Sequence, residues 1–368
     1  MTTLLDTGSL RVSIRRRRES SAYIRYGVPA FTIVASLAFG AVAMLAVGTD
    51  PIAAYRTMVT SVLTPYGISE VIVRTIPLLL AGLAVYVPLR AGLWNIGAGA
   101  GIYLGGIVAT AIGLSVDLPA ILLVPLMLLG AGIASGLLLL SPGYLRARWD
   151  INEILVTLLL TFTLMQFNEY AILRMPAEEV VHSSEALPAM ARFPRMFGTR
   201  IHVGVFVAAA ALLAVYVLVN RTQFGFELLS FGSNPNASRQ AGISKYKVVM
   251  GTMFVGGLLA GFAGAGEVGG IHHRLVPDFS PGFGFTAIAI ALIGRNGAFR
   301  VFFASLFFAF VYIGAANIEL VHSVPFAIVD ILEAVVILFF IAGEGIRRFE
   351  LDVSADPKID EGTEVINA

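Results

Sequence analysis

The sequence predicts an all-α, polytopic integral membrane protein of about ten transmembrane helices, with both termini cytoplasmic. Three observations predict it. Of 368 residues, 57% are hydrophobic and only 13% are charged, with a mean hydropathy of +0.83; a soluble domain carries about 25% charge. The apolar residues fall in runs of about 18 to 22, long enough to cross a hydrocarbon core of about 30 Å as helix. Arginine and lysine concentrate in alternate connections, the asymmetry that orients membrane helices. Alternation with a period of two is absent, which argues against an outer-membrane barrel. A net charge of +1 implies no nucleic-acid partner. The absence of cysteine excludes disulfides, thiol catalysis and cysteine metal sites.

Residues 1–28 form a basic cytoplasmic segment in which Arg11 and Arg15 to Arg18 precede the first apolar run. That run, 29–47, is nearly span length and lacks a small-residue cleavage site, so it reads as a retained first helix whose arginines meet anionic lipid. The amphipathic stretch 52–58 is expected at the outer interface, and span two at 70–89. Span three, to residue 114, opens on Asn95-Ile96-Gly97, and Gly97, Gly101 and Gly105 stand at i, i+4, i+8. That stripe lets a neighbouring backbone approach closely; packing and pore lining both remain open. Span four is expected to end at Ser141-Pro142-Gly143, and span five covers 152–173. The long polar connection 174–202 lies outside, followed by span six at 203–219 and span seven at 247–267. The apolar run 286–293 is too short to span alone, so it is a broken helix packed in protein or the end of a helix begun in the preceding loop. Spans nine and ten cover 299–317 and 325–342. The membrane domain is thus 29–346, and 347–368 is an acidic cytoplasmic tail whose polar composition suggests disorder.

Between spans six and seven lies Gly232-Ser233-Asn234-Pro235-Asn236-Ala237-Ser238-Arg239-Gln240-Ala241-Gly242-Ile243, within a cytoplasmic loop 221–246. Asn234 suits a cap, Pro235 the first helical turn, Ala237 to Ala241 a helix and Gly242 its stop. A short helix gripped by a partner protein competes with an ordinary solvated loop.

Charge inside a span costs about 2.5 to 3.5 kcal/mol on insertion scales. Arg74 and Glu153 stand near span ends, where they can snorkel. Asp330 and Glu333 share one helix face at i, i+3, as a pathway lining or a structural pair. His272 and His273 are adjacent, which does not put two imidazoles on one helix face, so no metal site is predicted. No nucleophile–base constellation and no Walker sequence is present, and the chain is not expected to be an enzyme.

Residues 74–343 resemble the permease subunits of ATP-binding-cassette importers of the branched-chain amino acid, ribose and nucleoside group. The Gly232–Ile243 stretch is similar to the Gly-x-Asn-Pro-x-Ala-Ala-x-x-x-Gly-Ile coupling segment of that family. Asn95-Ile96-Gly97 opens its Asn-Ile-Gly-x-Glu-Gly-Gln element, although Gly99-Ala100-Gly101 replaces the Glu-Gly-Gln. Phe279-Ser280-Pro281-Gly282-Phe283-Gly284-Phe285 and the run to Asn296 resemble the nucleoside branch, as do Glu267, its glycines and His272. The resemblance implies a non-catalytic subunit of the cell membrane. Its partners would be two ATPase subunits carrying ATP and Mg²⁺, a second permease, related or identical, and an extracytoplasmic solute-binding lipoprotein. Gly232, Asn234, Pro235, Ala237, Arg239 and Gly242 would couple to the ATPase. Asn95, Gly97, Glu267, Asp330 and Glu333 are the candidate substrate-pathway residues. A nucleoside is the implied solute, with a monosaccharide or branched-chain amino acid as alternatives; an ion-coupled secondary transporter is the alternative of another class.

Overall fold

The computed structural model describes residues 2–6, 10–16, 22–176, 182–196, 198–322 and, beyond these, 331, 334–335, 338–339, 342–343 and 349–355. It divides into two units, residues 1–48 with 330–368, and residues 49–329.

The first unit contains helix α1 (Ala22–Ala46) and an antiparallel sheet of β1 (Thr2–Asp6), β2 (Leu10–Arg16) and β3 (Phe349–Ala355), in the order β1-β2-β3. The tail expected to be disordered is therefore a strand over Phe349–Ala355. The register gives the reason. Leu10, Val12 and Ile14 stand opposite Ala355, Val353 and Leu351, while Arg11, Ser13 and Arg15 stand opposite Ser354, Asp352 and Glu350. Both segments alternate with period two, so one register aligns apolar with apolar and polar with polar. Composition alone conceals that alternation.

The second unit is the helical body. Helix α2 (Pro51–Val62) is capped by Asp50, whose carboxylate accepts from the Ile52 amide. The Thr64 hydroxyl caps α3 (Pro65–Arg90), five residues before the expected start of its span. Then come α4 (Ala98–Ser115), α5 (Ala120–Trp149), α6 (Glu153–Arg174), α7 (Gly204–Arg221), α8 (Gln223–Ser233), α9 (Pro235–Gln240), α10 (Lys245–Gly266), α11 (Phe283–Ile293) and α12 (Ala298–His322). Among the described residues, seven helices are long and apolar enough to cross a membrane, or eight with one bent pair. Two of the ten expected spans fall outside that count for local reasons. The run 286–293 belongs to the 11-residue α11, and 325–342 lies largely outside the described residues.

Helix α5 runs through Ser141-Pro142-Gly143, where a stop was expected. Pro142 has no N–H for the Leu138 carbonyl four residues back. The Ser141 hydroxyl donates to that carbonyl at 2.8 Å instead, and the helix continues to a left-handed cap at Asp150.

Helix α10 is the axis of the body, packed against α3, α4 and α5. It can be so because it is lined with glycine. A Cβ on Gly257 would overlap the Ser135 carbonyl, and one on Gly264 the Ile102 carbonyl. From the facing helix, a Cβ on Gly101 would lie 2.6 Å from Ala260 Cβ and one on Gly105 2.6 Å from Gly261 Cα. Gly101 and Gly105 of the predicted stripe therefore serve close packing against α10, which brings backbones together as small residues do in membrane helix pairs. At one end of α10 stand α8 and α9. At the other, a π-helical turn (Glu267–His272) is gripped by the long connection after α6: Phe193 N donates to Gly269 O at 2.9 Å and Leu187 N to His273 O at 2.8 Å.

Candidate functional site

The segment Gly232–Ile243 folds as its residue types dictate. Asn234 Oδ1 accepts from the Ala237 amide at 3.1 Å, Pro235 occupies the first turn, and Gly242 takes φ +84°, the left-handed conformation that closes a helix. Ile243 N donates back to Ser238 O at 3.0 Å. Ser238 is buried, whereas Pro235, Ala237 and Arg239 are exposed. Ion pairs tie the neighbouring elements together, α10 to the end of α5 and α10 to α8. Lys245 Nζ lies 2.7 Å from Asp150 Oδ1 and Lys247 Nζ 2.9 Å from Glu227 Oε2. The hydrogen bond and charge of Lys245 hold the Asp150 carboxyl below its usual range. Gly232 belongs to this support rather than to the exposed helix: a Cβ there would overlap the Arg90 carbonyl, so the residue seats α8 on the end of α3. Helix α8 itself was not predicted, although Phe224, Leu228 and Phe231 at i, i+4, i+7 carry its signal.

The second region lies around Asn95. It is buried, its Nδ2 donates to Ala84 O at 3.1 Å, and its Oδ1 accepts from the Gly97 amide at 3.0 Å. Both ends of the amide thus tie the 91–97 turn to α3. Gly97 packs against Leu139 and Thr157. The missing Glu-Gly-Gln has a steric counterpart. A Cβ on Gly99 would lie 2.7 Å from Thr161 Cγ2, and the α11 glycine Gly284 is packed so closely that its own Cβ would meet Gly99 N at 2.7 Å. Helices α6 and α11 close on the space that a longer side chain at 99 would need, and α10 and α5 on that at 101.

Glu267 forms the third region. Its side chain is fully buried, with Arg74 Nη1 at 3.6 Å and His272 Nε2 at 3.3 Å. The Arg74 guanidinium lies 4.9 Å over the Phe283 ring and 4.3 Å over that of Tyr312. Arg74 was expected to snorkel; instead it turns inward and joins α3, α10, α11 and α12 by an ion pair and two cation–π contacts. Glu153 is corrected likewise. It is 6% exposed, 3.2 Å from Arg146 Nε, and accepts from Trp94 N at 3.3 Å. Both carboxylates find a partner inside the bundle, which removes the reason to reach water. Asp330 and Glu333 lie outside the described residues.

Residues 67–341 match the family described as branched-chain amino acid transport system / permease component. The chain belongs to this family. It is 41% identical, over 95% of each chain, to the glucose ABC transporter permease protein TsgB13 of Haloferax volcanii. It is 33% identical to the guanosine ABC transporter permease protein NupP of Bacillus subtilis, over 87% of this chain and 94% of that one. Against the nucleoside ABC transporter permease protein NupB of Lactococcus lactis it is 30% identical, over 91% and 96%. The chain is therefore a multi-pass permease subunit of the cell membrane, non-catalytic, that works with ATPase and solute-binding partners. Membership of this family sets aside the ion-coupled carrier.

After α10 the two sequence-adjacent histidines separate. His272 faces Glu267. His273 has φ +56°, donates from Nδ1 to Gly269 O at 3.0 Å and accepts at Nε2 from Arg195 Nη2 at 3.1 Å. No group of three metal-ligating side chains exists among the described residues. A third imidazole, His202, carries no sequence signal and is fully buried. Its Nδ1 accepts from Gly204 N at 3.2 Å, and its ring lies against Gly270. Burial pushes its pKa down to about 4 and also lowers that of His273. A depressed imidazole stabilises the fold fully above the unfolded value of about 6.5 and loses that stabilisation as pH falls toward about 4, on the order of 3 kcal/mol for His202. Thermal unfolding in detergent should show the midpoint falling between about pH 7 and pH 4, with His202→Asn flattening most of the slope. An unchanged slope in the variant would place the titration elsewhere.

Proposed function

We propose that this permease forms one half of the solute path of an ATP-driven importer that receives a nucleoside from an external lipoprotein and releases it into the cytoplasm. The observation that carries the coupling role is α9: a capped, exposed helix between α8 and α10, which an ion pair joins, in a subunit whose family works with ATPases. Two ATPase subunits would bind ATP and Mg²⁺. A second permease, identical or related, would complete the path. Closure of the ATPases draws the two α9 helices together. Ser238 and the Lys245–Asp150 and Lys247–Glu227 pairs pass that displacement to α5, α8 and α10, and Gly232 passes it to the end of α3. The spans then exchange inward for outward access. Ten crossings with both termini cytoplasmic agree with the arginine distribution and with the pairing of β2 and β3, which needs both terminal segments on one side.

A monosaccharide is the second reading, favoured by the 41% identity to the glucose permease. Cells carrying the complete transporter should accumulate radiolabelled guanosine, and inactivation of the partner ATPase should abolish that accumulation. Glucose uptake without guanosine uptake would establish the second reading. Leucine uptake alone would overturn both.

A further inference from the structure

Between α4, α6 and the segment entering α11 lies a cavity of about 30 Å³, lined by Tyr103, Thr161, Met165, Ser280 and Phe285 among others. We propose that it is a subsite for one hydroxyl group of the transported solute, read by Ser280. The inference rests on the reading of the solute as a hydroxyl-bearing ring. That is room enough for a water-sized polar group, so the cavity takes a hydroxyl. The lining already spends two of its hydroxyls. Thr161 donates to Ile96 O at 3.1 Å and Thr157 O at 3.0 Å, and Tyr103 donates to Asp278 Oδ1 at 2.7 Å. Ser280 is different. It is 4% exposed, and its buried Oγ has no hydrogen-bond partner. A buried hydroxyl without a partner is costly unless a visiting group completes it.

The mouth suits a ring. Phe285 is 45% exposed and offers an apolar face beside the cavity. Gly99, Gly282 and Gly284 add no side chain to block it. Gly282 holds φ +70°, which lets the chain turn directly after Ser280-Pro281.

The test uses the complete transporter in cells, with guanosine and glucose and analogues of each lacking one hydroxyl. The wild type should reject one deoxy analogue by about tenfold in kcat/KM. Ser280→Ala should erase that discrimination and raise KM for the parent solute about tenfold, while Ser280→Thr, which keeps the hydroxyl, restores both. Discrimination unchanged in Ser280→Ala overturns the subsite and leaves the solute reading standing. Uptake of leucine with neither ring solute overturns the solute reading and the subsite with it. A labelling experiment guards against a variant that fails to transport. The chain has no cysteine, so Ser280→Cys is a single reporter. Saturating guanosine or glucose should slow its reaction with a small methanethiosulfonate about tenfold; an unaltered rate with both overturns the subsite.

Discussion

Arg239→Glu abolishes solute-stimulated ATP hydrolysis in the assembled transporter, bringing the rate down to the unstimulated level, while the permease still inserts and elutes as a folded protein. Arg239 stands in the last turn of α9 and is exposed, so the fold does not depend on its side chain. Its charge favours the negative end of the short helix, and a carboxylate there reverses that interaction. It also adds a second negative charge near Asp150, whose carboxyl already feels Arg239. The expected result is loss of grip on the ATPase rather than unfolding. Arg239→Gln separates the two effects: it removes the charge without reversing it and should retain part of the stimulation. The measurement is ATPase activity of purified complex in lipid, with and without solute-loaded binding protein. Full stimulation in Arg239→Glu would remove α9 from the coupling path.

Arg74→Met lowers the stability of the permease by about 3 to 5 kcal/mol, the typical cost of stranding one member of a buried ion pair. The Glu267 side chain is fully buried, with Arg74 and His272 as the cationic side chains near it. Met keeps most of the volume over Phe283 and Tyr312, so lost charge dominates lost packing. Arg74→Met combined with Glu267→Met should recover most of the loss, because a pair replaced by apolar groups is often neutral or better. Thermal unfolding of the two single variants and the double variant checks the cycle. Additive losses would mean that the residues act independently and that the short distance carries no energy.

Much of the membrane architecture was legible in the residues, because hydrocarbon imposes one local rule: a long apolar run must become helix. That rule located the spans expected at 70–89, 152–173, 203–219 and 247–267 within a few residues. It failed at Pro142, where a single serine hydroxyl replaces the missing hydrogen bond. It failed again at the termini, where a two-residue period inside polar segments makes strands. The short helix α9 was also legible, since capping is local: Asn234, Pro235 and Gly242 each act within four residues of themselves.

What surrounds these elements was decided only by tertiary structure. The sequence by itself places Arg74 near a span end and Ser280 in an outer loop. The fold brings Arg74 to Glu267 across 193 positions of chain and leaves Ser280 buried beside α4 and α6. It also shows that the departure at Gly99 and Gly101 goes with neighbouring helices that have closed on the space. Local propensity and hydropathy act over a few residues, so they determine helices, caps and spans. Burial, charge pairing and cavities depend on which helices touch, and packing of the glycine-lined α10 against α3, α4 and α5 determines that.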